Sequence, residues 1–225
     1  MIEFDAVGHA YEGRPVLTDI DARLPEQRIG IIGANGGGKS TLARTITGLI
    51  RPTSGRVRVD GFDTRKDKRA VRQRTGFVFT NPDHQIVMPT VGEDVAYSLR
   101  RSPLDADGRR RRVTETLQRF GIDHLAERSA HQLSGGQKQL LALAAVSVTE
   151  PKVLVLDEPT TLLDLRNARM LREMVHRLPQ QVVVVTHDLD LLDDFDRVLV
   201  IEDGRLVRDS TPAAAIDYYR TWSQS

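Results

Sequence analysis

The fold of this chain is decided by Gly33-Ala34-Asn35-Gly36-Gly37-Gly38-Lys39-Ser40. This stretch follows the apolar run Ile29–Ile32, which predicts a buried parallel strand, and it leads into Lys39–Leu49, whose residues favour a helix. A strand, a glycine loop of the pattern GxxxxGK[ST] and a helix are together typical of a phosphate-binding loop. Its glycines let successive backbone N–H groups face a phosphate, and the helix N-terminus adds its dipole. The loop therefore predicts an α/β nucleotide-binding fold.

The phosphate loop also predicts the first ligand contacts. Lys39 is expected to reach the β- and γ-phosphates of a nucleotide, and Ser40 to offer its hydroxyl oxygen to Mg²⁺. The alternative, a glycine-rich turn with an incidental lysine, is disfavoured by the complete pattern and its flanks. The predicted nucleotide-binding residues are Gly33, Ala34, Asn35, Gly36, Gly37, Gly38, Lys39, Ser40 and Thr41.

Further apolar runs predict the other inner strands, at Gly76–Phe79, Val153–Leu156 and Val182–Val185. Polar residues follow each run, as they do where ligands bind at the carboxyl edge of a parallel sheet. Helical periodicity takes over between Thr90 and Val148. We therefore predict a mostly parallel sheet, with its nucleotide core at about residues 1–83 and 150–210, an inserted helical subdomain at about 86–148, and a short C-terminal helix at about 211–225.

Composition limits the classes of partner and chemistry. The 32 basic and 31 acidic side chains nearly cancel, so the net charge of +1 gives no reason to expect a nucleic-acid partner. The densest basic run, Arg109–Arg112, is predicted to be a solvated helix face. The chain has no cysteine, which excludes disulfides, thiol catalysis and thiolate metal sites.

The start of the chain and its apolar stretches bear on location. Met1–Asp5 lacks the basic and then apolar pattern of a secretion signal, so we expect the chain to stay in the cytoplasm. The longest apolar stretches, near Leu140–Val148 and Val182–Val185, are well short of the roughly 20 residues that cross a bilayer. Any transport role would therefore require a membrane partner.

Two adjacent carboxylates, Asp157 and Glu158, stand at the end of the apolar run Val153–Leu156. Burying such a pair without a purpose would be costly. Asp157 suits the outer shell of Mg²⁺, and Glu158 suits a base that orients and polarises an attacking water. The alternative is a polar turn that ends the strand before Pro159, and the phosphate loop upstream decides against it.

A second glycine motif begins at Ser134, where Ser134, Gly135, Gly136 and Gln137 follow Leu133. Serine is a good helix N-cap, and the glycines let a phosphate approach the backbone. The motif is thus a phosphate cradle without a lysine of its own. One chain has no obvious use for two cradles around one nucleotide, so an ordinary helix cap remains the alternative.

The motifs GANGGGKST, LSGGQ, VLVLDEP and VTHD, in this order, resemble those of the ATPase subunits of ABC transporters, and the resemblance covers nearly the whole chain. It implies Mg²⁺-dependent hydrolysis of ATP to ADP and phosphate, and a small antiparallel sheet formed by the N-terminal region. It also implies pairing with a second copy or a close homologue, in which Ser134 to Gln137 of one subunit closes over the γ-phosphate bound by the other.

The same resemblance implies three further roles. Tyr11 would stack on adenine, with a buried core tyrosine as the alternative. His187, at the end of an apolar strand, would contact the γ-phosphate and the attacking water, with a structural histidine as the alternative. Asp164 would be the acidic residue of the segment that links the two sites, although Leu162 departs from the small residue common in that segment.

The largest departure from the family pattern is Thr80, which stands where relatives usually have a glutamine that touches Mg²⁺ and senses the membrane partner. Either the Thr80 hydroxyl or the side chain of Gln85 could take the metal contact, and the sequence leaves this open. The Gln85 region is also predicted to face an integral membrane subunit.

Asn81-Pro82-Asp83 and the segment Thr90–Val95 resemble the ATPases of energy-coupling-factor importers, which take up vitamins and transition metal ions. Thr80 and the short chain, which ends at Ser225 without a long extension, look most like the ATPase of the biotin system, with cobalt or nickel systems as alternatives. The resemblance implies a peripheral protein on the cytoplasmic face of the cell membrane.

Two other classes compete with this interpretation. A soluble ABC ATPase of DNA repair or translation would usually carry long coiled coils or two cassettes, and this sequence contains neither. A P-loop kinase of a small metabolite would not need LSGGQ.

Overall fold

The computed structural model describes residues 1–161 and 163–222, which form two compact units. The sheet unit consists of residues 1–77, 152–158 and 179–222, and the helical unit of residues 78–151, 159–161 and 163–178. In chain order the strands are β1 (Ile2–Tyr11), β2 (Arg14–Leu24), β3 (Arg28–Ile32), β4 (Ser54–Val59), β5 (Phe62–Asp63), β6 (Thr75–Val78), β7 (Val153–Asp157), β8 (Gln181–Val185), β9 (Arg197–Glu202) and β10 (Arg205–Ser210).

The helices are α1 (Lys39–Ile46), α2 (Lys68–Arg74), α3 (Val91–Ser98), α4 (Ala106–Arg119), α5 (Gly135–Ser147), α6 (Leu165–Arg177) and α7 (Pro212–Trp222). Short 3₁₀ turns lie at Pro82–His84, Asp123–Leu125, Ala130–Gln132 and Leu189–Leu192. The predicted C-terminal helix corresponds to α7, and residues 223–225 of that prediction lie outside the described residues. No helix among the described residues is long and apolar enough to cross a bilayer.

The main sheet has the strand order β10-β9-β3-β8-β7-β6. Strand β3 runs parallel to β8 and β9, and β7 runs parallel to β8, while β10 pairs with β9 in the antiparallel sense. Every residue of β3 and β7 is buried, which explains why most of their side chains are apolar rather than alternating with polar ones, apart from Arg28 at the start of β3 and Asp157 at the end of β7. The carboxyl ends of β3, β7 and β8 therefore meet at one edge of the sheet.

A second sheet of four strands, in the order β2-β1-β4-β5, forms the N-terminal part of the sheet unit. Strand β1 is antiparallel to both of its neighbours, and its register shifts around Ala6, which has a positive φ of 45°. Such a bulge bends the strand and increases its twist. The predicted N-terminal antiparallel sheet is thus present.

The helical unit is built around α5, most of whose residues are buried, and both α3 and α4 pack on it. Helix α3 begins with a capping box between Thr90 and Glu93. Helix α6 also groups with this unit. In the arginine run of α4, Arg110 pairs with Asp107 within the helix and Arg112 with Glu150 at 2.8 Å.

Candidate nucleotide site

The phosphate loop connects β3 to α1 and depends on glycine at two close approaches. A Cβ atom at Gly33, where φ is 143°, would lie 1.9 Å from the carbonyl oxygen of Ile201. At Gly38, where φ is 100°, it would lie 2.7 Å from the carbonyl oxygen of Val16. No other residue fits either position without displacing the backbone behind the loop.

The hairpin between β9 and β10 also bonds to this loop. The Gly204 N–H donates to the Gly37 carbonyl at 3.1 Å, and the Gly204 carbonyl accepts from the Thr18 N–H at 2.8 Å. The hydrogen bond from Gly204 and the close approaches at Gly33 and Gly38 therefore hold the curled backbone of the loop. As a result, the amide groups of the loop have a fixed geometry.

Lys39 begins α1 and is buried. Its Nζ donates to the carbonyl oxygens of Gly33 at 2.9 Å and Ala34 at 2.8 Å, which uses two of the three N–H donors of an ammonium group. Burial lowers the pKa of Lys39, and the charges of Glu158 and Asp157 oppose that shift. The side chain is thus a partly desolvated cation that an anionic phosphate would stabilise further.

Asp157 ends β7 with its carboxylate almost fully buried, and both of its oxygens accept hydrogen bonds. Ser40 Oγ donates to Oδ1 at 2.8 Å, and Arg44 Nη2 donates to Oδ2 at 3.2 Å. Ser40 and Arg44 are four residues apart on α1 and therefore lie on the same face of that helix. The phosphate loop and the acidic pair predicted from sequence are thus joined by a direct contact.

The oxygen ligands available at this site suit Mg²⁺ better than a metal that is held by protein ligands alone. The described residues contain no cluster of three or more His, Asp, Glu or Cys side chains that could hold a metal. Mg²⁺ usually keeps several waters and binds one or two protein oxygens together with substrate phosphates. The hydroxyl of Ser40, directed by the carboxylate of Asp157, offers such an oxygen.

Glu158 lies immediately after β7 and adopts a positive φ of 52°. Its N–H donates to the carbonyl of Val185 at 2.8 Å, which ties it to the end of β8. Its Oε2 accepts from the His187 N–H at 3.3 Å and lies 2.7 Å from His187 Nδ1. The contact fixes the orientation of the ring, and a neutral ring that donates from Nδ1 would present Nε2 as an acceptor.

Tyr11 ends β1 and is 45% exposed, so the structure excludes the alternative of a buried core tyrosine. Its ring meets the ring of His9 edge to face, with centroids 4.6 Å apart. The exposed part of the ring is available for stacking, and contact with adenine stays a prediction.

Ser134 is the N-cap of α5 and forms a reciprocal capping box with Gln137. Ser134 Oγ accepts from the Gln137 N–H at 3.3 Å, and Gln137 Oε1 accepts from the Ser134 N–H at 2.9 Å. Ser134 and Gly135 are exposed, while a Cβ atom at Gly136 would lie 2.8 Å from Asn167 Cγ. The helix cap therefore exists, and its exposed end keeps the geometry of an anion cradle.

Gln85 is held on both sides by the backbone of the helical unit. Its Oε1 accepts from the Phe79 N–H at 2.9 Å, and its Nε2 donates to the Ala142 carbonyl at 3.3 Å. Asp164 is the N-cap of α6 and accepts from the Asn167 N–H at 2.8 Å. The metal contact of Thr80 or Gln85 and the linking role of Asp164 stay predictions, and Leu162 lies outside the described residues.

Sequence reasoning missed Arg44. The available signal was its spacing, because a residue four positions after Ser40 on a predicted helix shares the face that carries the hydroxyl. Reasoning also missed the ion pair of Lys138 with Asp83, at 2.7 Å, beside the Gln85 contacts.

Comparison with known sequences agrees with this geometry. Residues 17–161 match the ABC transporter family. A Deinococcus radiodurans protein called a putative ABC transporter ATP-binding protein is 51% identical, with 99% of this chain and 100% of that protein covered. The biotin transport ATP-binding protein BioM of Rhizobium etli is 44% identical, with 97% of each chain covered. The energy-coupling factor transporter ATP-binding protein EcfA2 of Symbiobacterium thermophilum is 44% identical, with 94% of this chain and 78% of that protein covered.

Solved structures agree as well. CbiO1 from Clostridium perfringens, described as part of the ABC transporter complex cbiONQ, is similar with a TM-score of 0.86 and 33% identity over 99% of this chain and 93% of that one. An ATP-binding cassette solved as a dimer in a post-hydrolysis state with ADP and Pi has a TM-score of 0.83 and 28% identity over 94% of this chain and 99% of that one. The predicted fold class is confirmed, and the chain belongs to the ABC transporter family, among the ATP-binding subunits of the energy-coupling-factor type.

Proposed function

We propose that this chain is the ATP-hydrolysing subunit of an energy-coupling-factor importer and works as a peripheral protein on the cytoplasmic face of the membrane. The observation that carries the proposal is the 2.8 Å contact between Ser40 of the phosphate loop and Asp157 of the acidic pair. This contact supports the proposal because it joins the Ser40 hydroxyl, which follows the loop lysine and is proposed to bind the metal, to a buried carboxylate. That set matches the requirements of phosphoryl transfer.

In the proposed reaction, Lys39 and the loop amides bind the β- and γ-phosphates and oppose their charge. Mg²⁺ supplies Lewis-acid neutralisation of those phosphates, and Ser40 with Asp157 would hold it. Glu158 orients and polarises the attacking water, and its contact with His187 keeps that imidazole at the same place. Catalysis rests on positioning and charge neutralisation rather than on a covalent step.

The complete site is proposed to need a second subunit, either another copy or a close homologue. At the exposed N-terminus of α5, the Gly135 N–H and the Ser134 hydroxyl hydrogen are the donors for the γ-phosphate bound by the partner. Asp164 links the two sites, and Tyr11 stacks on the adenine. The dimeric state of the similar ADP-bound cassette supports this arrangement.

The Gln85 region is proposed to meet the membrane subunit. Since the Gln85 carboxamide is used within the helical unit, we assign it the task of shaping the loop. Val87, which is 62% exposed, would provide an apolar contact to the membrane subunit. The same internal bonds favour Thr80 over Gln85 as the additional metal contact.

The cargo is proposed to be biotin or a transition metal ion, with biotin favoured by the name of the Rhizobium etli relative. The test is purification in mild detergent, followed by uptake of labelled biotin, cobalt and nickel by cells that carry the chain or its Glu158→Gln variant. We expect copurified membrane subunits and uptake of one cargo that the variant abolishes. Copurification of no membrane protein, with uptake unchanged by the variant, would instead favour an ABC ATPase of DNA repair or translation.

A further inference from the structure

Arg44 lies one helical turn after Ser40 on α1 and forms an ion pair with Asp157 at 3.2 Å. The Asp157 side chain is 1% exposed and that of Arg44 is 37% exposed, so the arginine reaches from the surface to a buried carboxylate. A carboxylate buried this deeply needs a compensating cation or several hydrogen bonds to stay charged. Arg44 supplies both a charge and a donor.

The two bonds of Asp157 divide its oxygens between two tasks. Oδ1 accepts the Ser40 hydroxyl hydrogen, and Oδ2 accepts from Arg44. A hydroxyl that donates its only hydrogen to Asp157 must direct its oxygen lone pairs elsewhere. The plane of the carboxylate, fixed at both ends, therefore sets the direction in which Ser40 can bind a cation.

This arrangement also explains why Asp157 would act from the outer shell. Ser40 and Arg44 each use one acceptor site on an oxygen of Asp157, so a metal bound directly to Asp157 would have to share an oxygen with one of these donors. Without Arg44, one carboxylate oxygen would lose its partner, and the group could rotate and release the hydroxyl of Ser40. Mg²⁺ demands near-ideal octahedral geometry and tolerates such misalignment poorly.

We infer that Arg44 is a positioning residue for Mg²⁺, which acts through Asp157 to hold the Ser40 oxygen in the direction that the metal requires. The inference rests on the proposed function, because it needs a site for Mg²⁺ and ATP. The inference gives Arg44 no role in nucleotide binding itself, because Lys39 and the loop amides would contact the phosphates without it.

The experiment measures binding of a fluorescent ATP analogue to the full chain, first in EDTA and then as Mg²⁺ is added. In Arg44→Met, which keeps the length of the side chain but removes its charge, the affinity in EDTA should stay within about twofold. The Mg²⁺ concentration at half-maximal enhancement should rise by about tenfold to a hundredfold, as loss of a partner behind a metal ligand usually causes. Arg44→Lys keeps the charge but lacks the forked guanidinium, so the Mg²⁺ concentration at half-maximal enhancement should rise less.

A matched control is Arg72→Met, which removes the same charge from an exposed position on α2 and should leave both measurements unchanged. An unchanged Mg²⁺ midpoint in a folded Arg44→Met protein would overturn the inference. So would an equal loss of affinity in EDTA and in Mg²⁺, since that indicates a general structural role. If Arg44→Met does not fold, the same comparison is made with Arg44→Lys. If the wild-type chain shows no Mg²⁺-dependent ATP binding, the proposed function fails too.

Discussion

The two glycine segments that are proposed to bind phosphate differ in how far their geometry is fixed within a single chain. In the sheet unit, Lys39 and Asp157 are buried and bonded to neighbours that fix their positions. In the helical unit, Ser134 is exposed and its side chain bonds only to the first turn of its own helix. The first segment is preorganised within the chain, while the second ends in an exposed helix N-terminus. The difference teaches that the chain fixes the phosphate loop by itself and leaves the Ser134 segment accessible to the site of a second chain, as proposed above.

The largest effect is expected from Glu158→Gln, which keeps the shape of the side chain but removes a proton acceptor. Turnover should fall by about 10² to 10⁴-fold, as expected for loss of a general base, while ATP binding remains. Steady-state hydrolysis and equilibrium nucleotide binding measure the two separately. A variant that still hydrolyses ATP at nearly the normal rate would remove Glu158 from the catalytic role.

Mixing two inactive variants tests whether the helical segment completes the site of another chain. Lys39→Ala and Ser134→Arg should each be nearly inactive alone, because every site in either homodimer carries a lesion. A mixed dimer would hold one site with both lesions and one site with neither, so ATPase activity should reappear on mixing.

The control for mixing is native mass spectrometry, which shows whether mixed dimers form. No recovery in a sample that contains them would mean that turnover requires both sites intact or that the sites are not shared. An ATP-bound closed structure with Ser134 far from any γ-phosphate would decide against sharing.

Lys39→Ala should weaken ATP binding by about tenfold to a hundredfold, since it removes a charge-assisted contact of roughly 1.5 to 3 kcal/mol. Adenosine lacks the phosphates and should bind almost as before. Calorimetric titration with each ligand makes the comparison. Equal weakening for both ligands would indicate misfolding of the loop instead.

Gln85→Ala should have a smaller effect on basal hydrolysis because its carboxamide bonds within the helical unit. Uptake and stimulation by the membrane subunit should fall, since the loop that carries Val87 would lose two hydrogen bonds. Transport assays in cells and ATPase assays of the purified chain separate these effects. A collapse of basal hydrolysis with a changed Mg²⁺ requirement would identify Gln85 as a site residue.

Asp60→Asn should have the smallest effect, a small loss of stability, since Asp60 forms partly exposed ion pairs with Lys152 at 2.7 Å and Arg74 at 3.3 Å. Such pairs contribute about 0 to 1 kcal/mol. The hydrogen bond from Lys152 is the main cause that lowers the pKa of Asp60 from 3.8. The stabilisation from these ion pairs is therefore complete above pH 3.8, the ordinary pKa, and it is lost as pH falls through the lower pKa that Asp60 has in the folded protein. Thermal melts of both proteins should differ at neutral pH and converge in strong acid.

Features that one contiguous segment determines could be predicted from the sequence alone. The phosphate loop and the pair Asp157 and Glu158 each follow an apolar strand, so the strand itself positions them. Arg44 was missed because its partner is 113 residues away, and the sequence left the role of Gln85 open because its bond to Ala142 spans 57 residues. Local patterns do not show which distant backbone atom satisfies a polar side chain.

The close approach of Gly33 to the Ile201 carbonyl has a consequence for how this protein is synthesised. The loop emerges from the ribosome long before the strand and hairpin that hold it from behind, at Ile201 and Gly204. At ordinary rates of translation, the delay is roughly ten to thirty seconds. During that interval the growing chain contains the complete glycine motif but lacks Ile201 and Gly204, which contact the loop in the folded protein. ATP binding is therefore expected only near the end of synthesis, once Ile201 and Gly204 have been added to the chain.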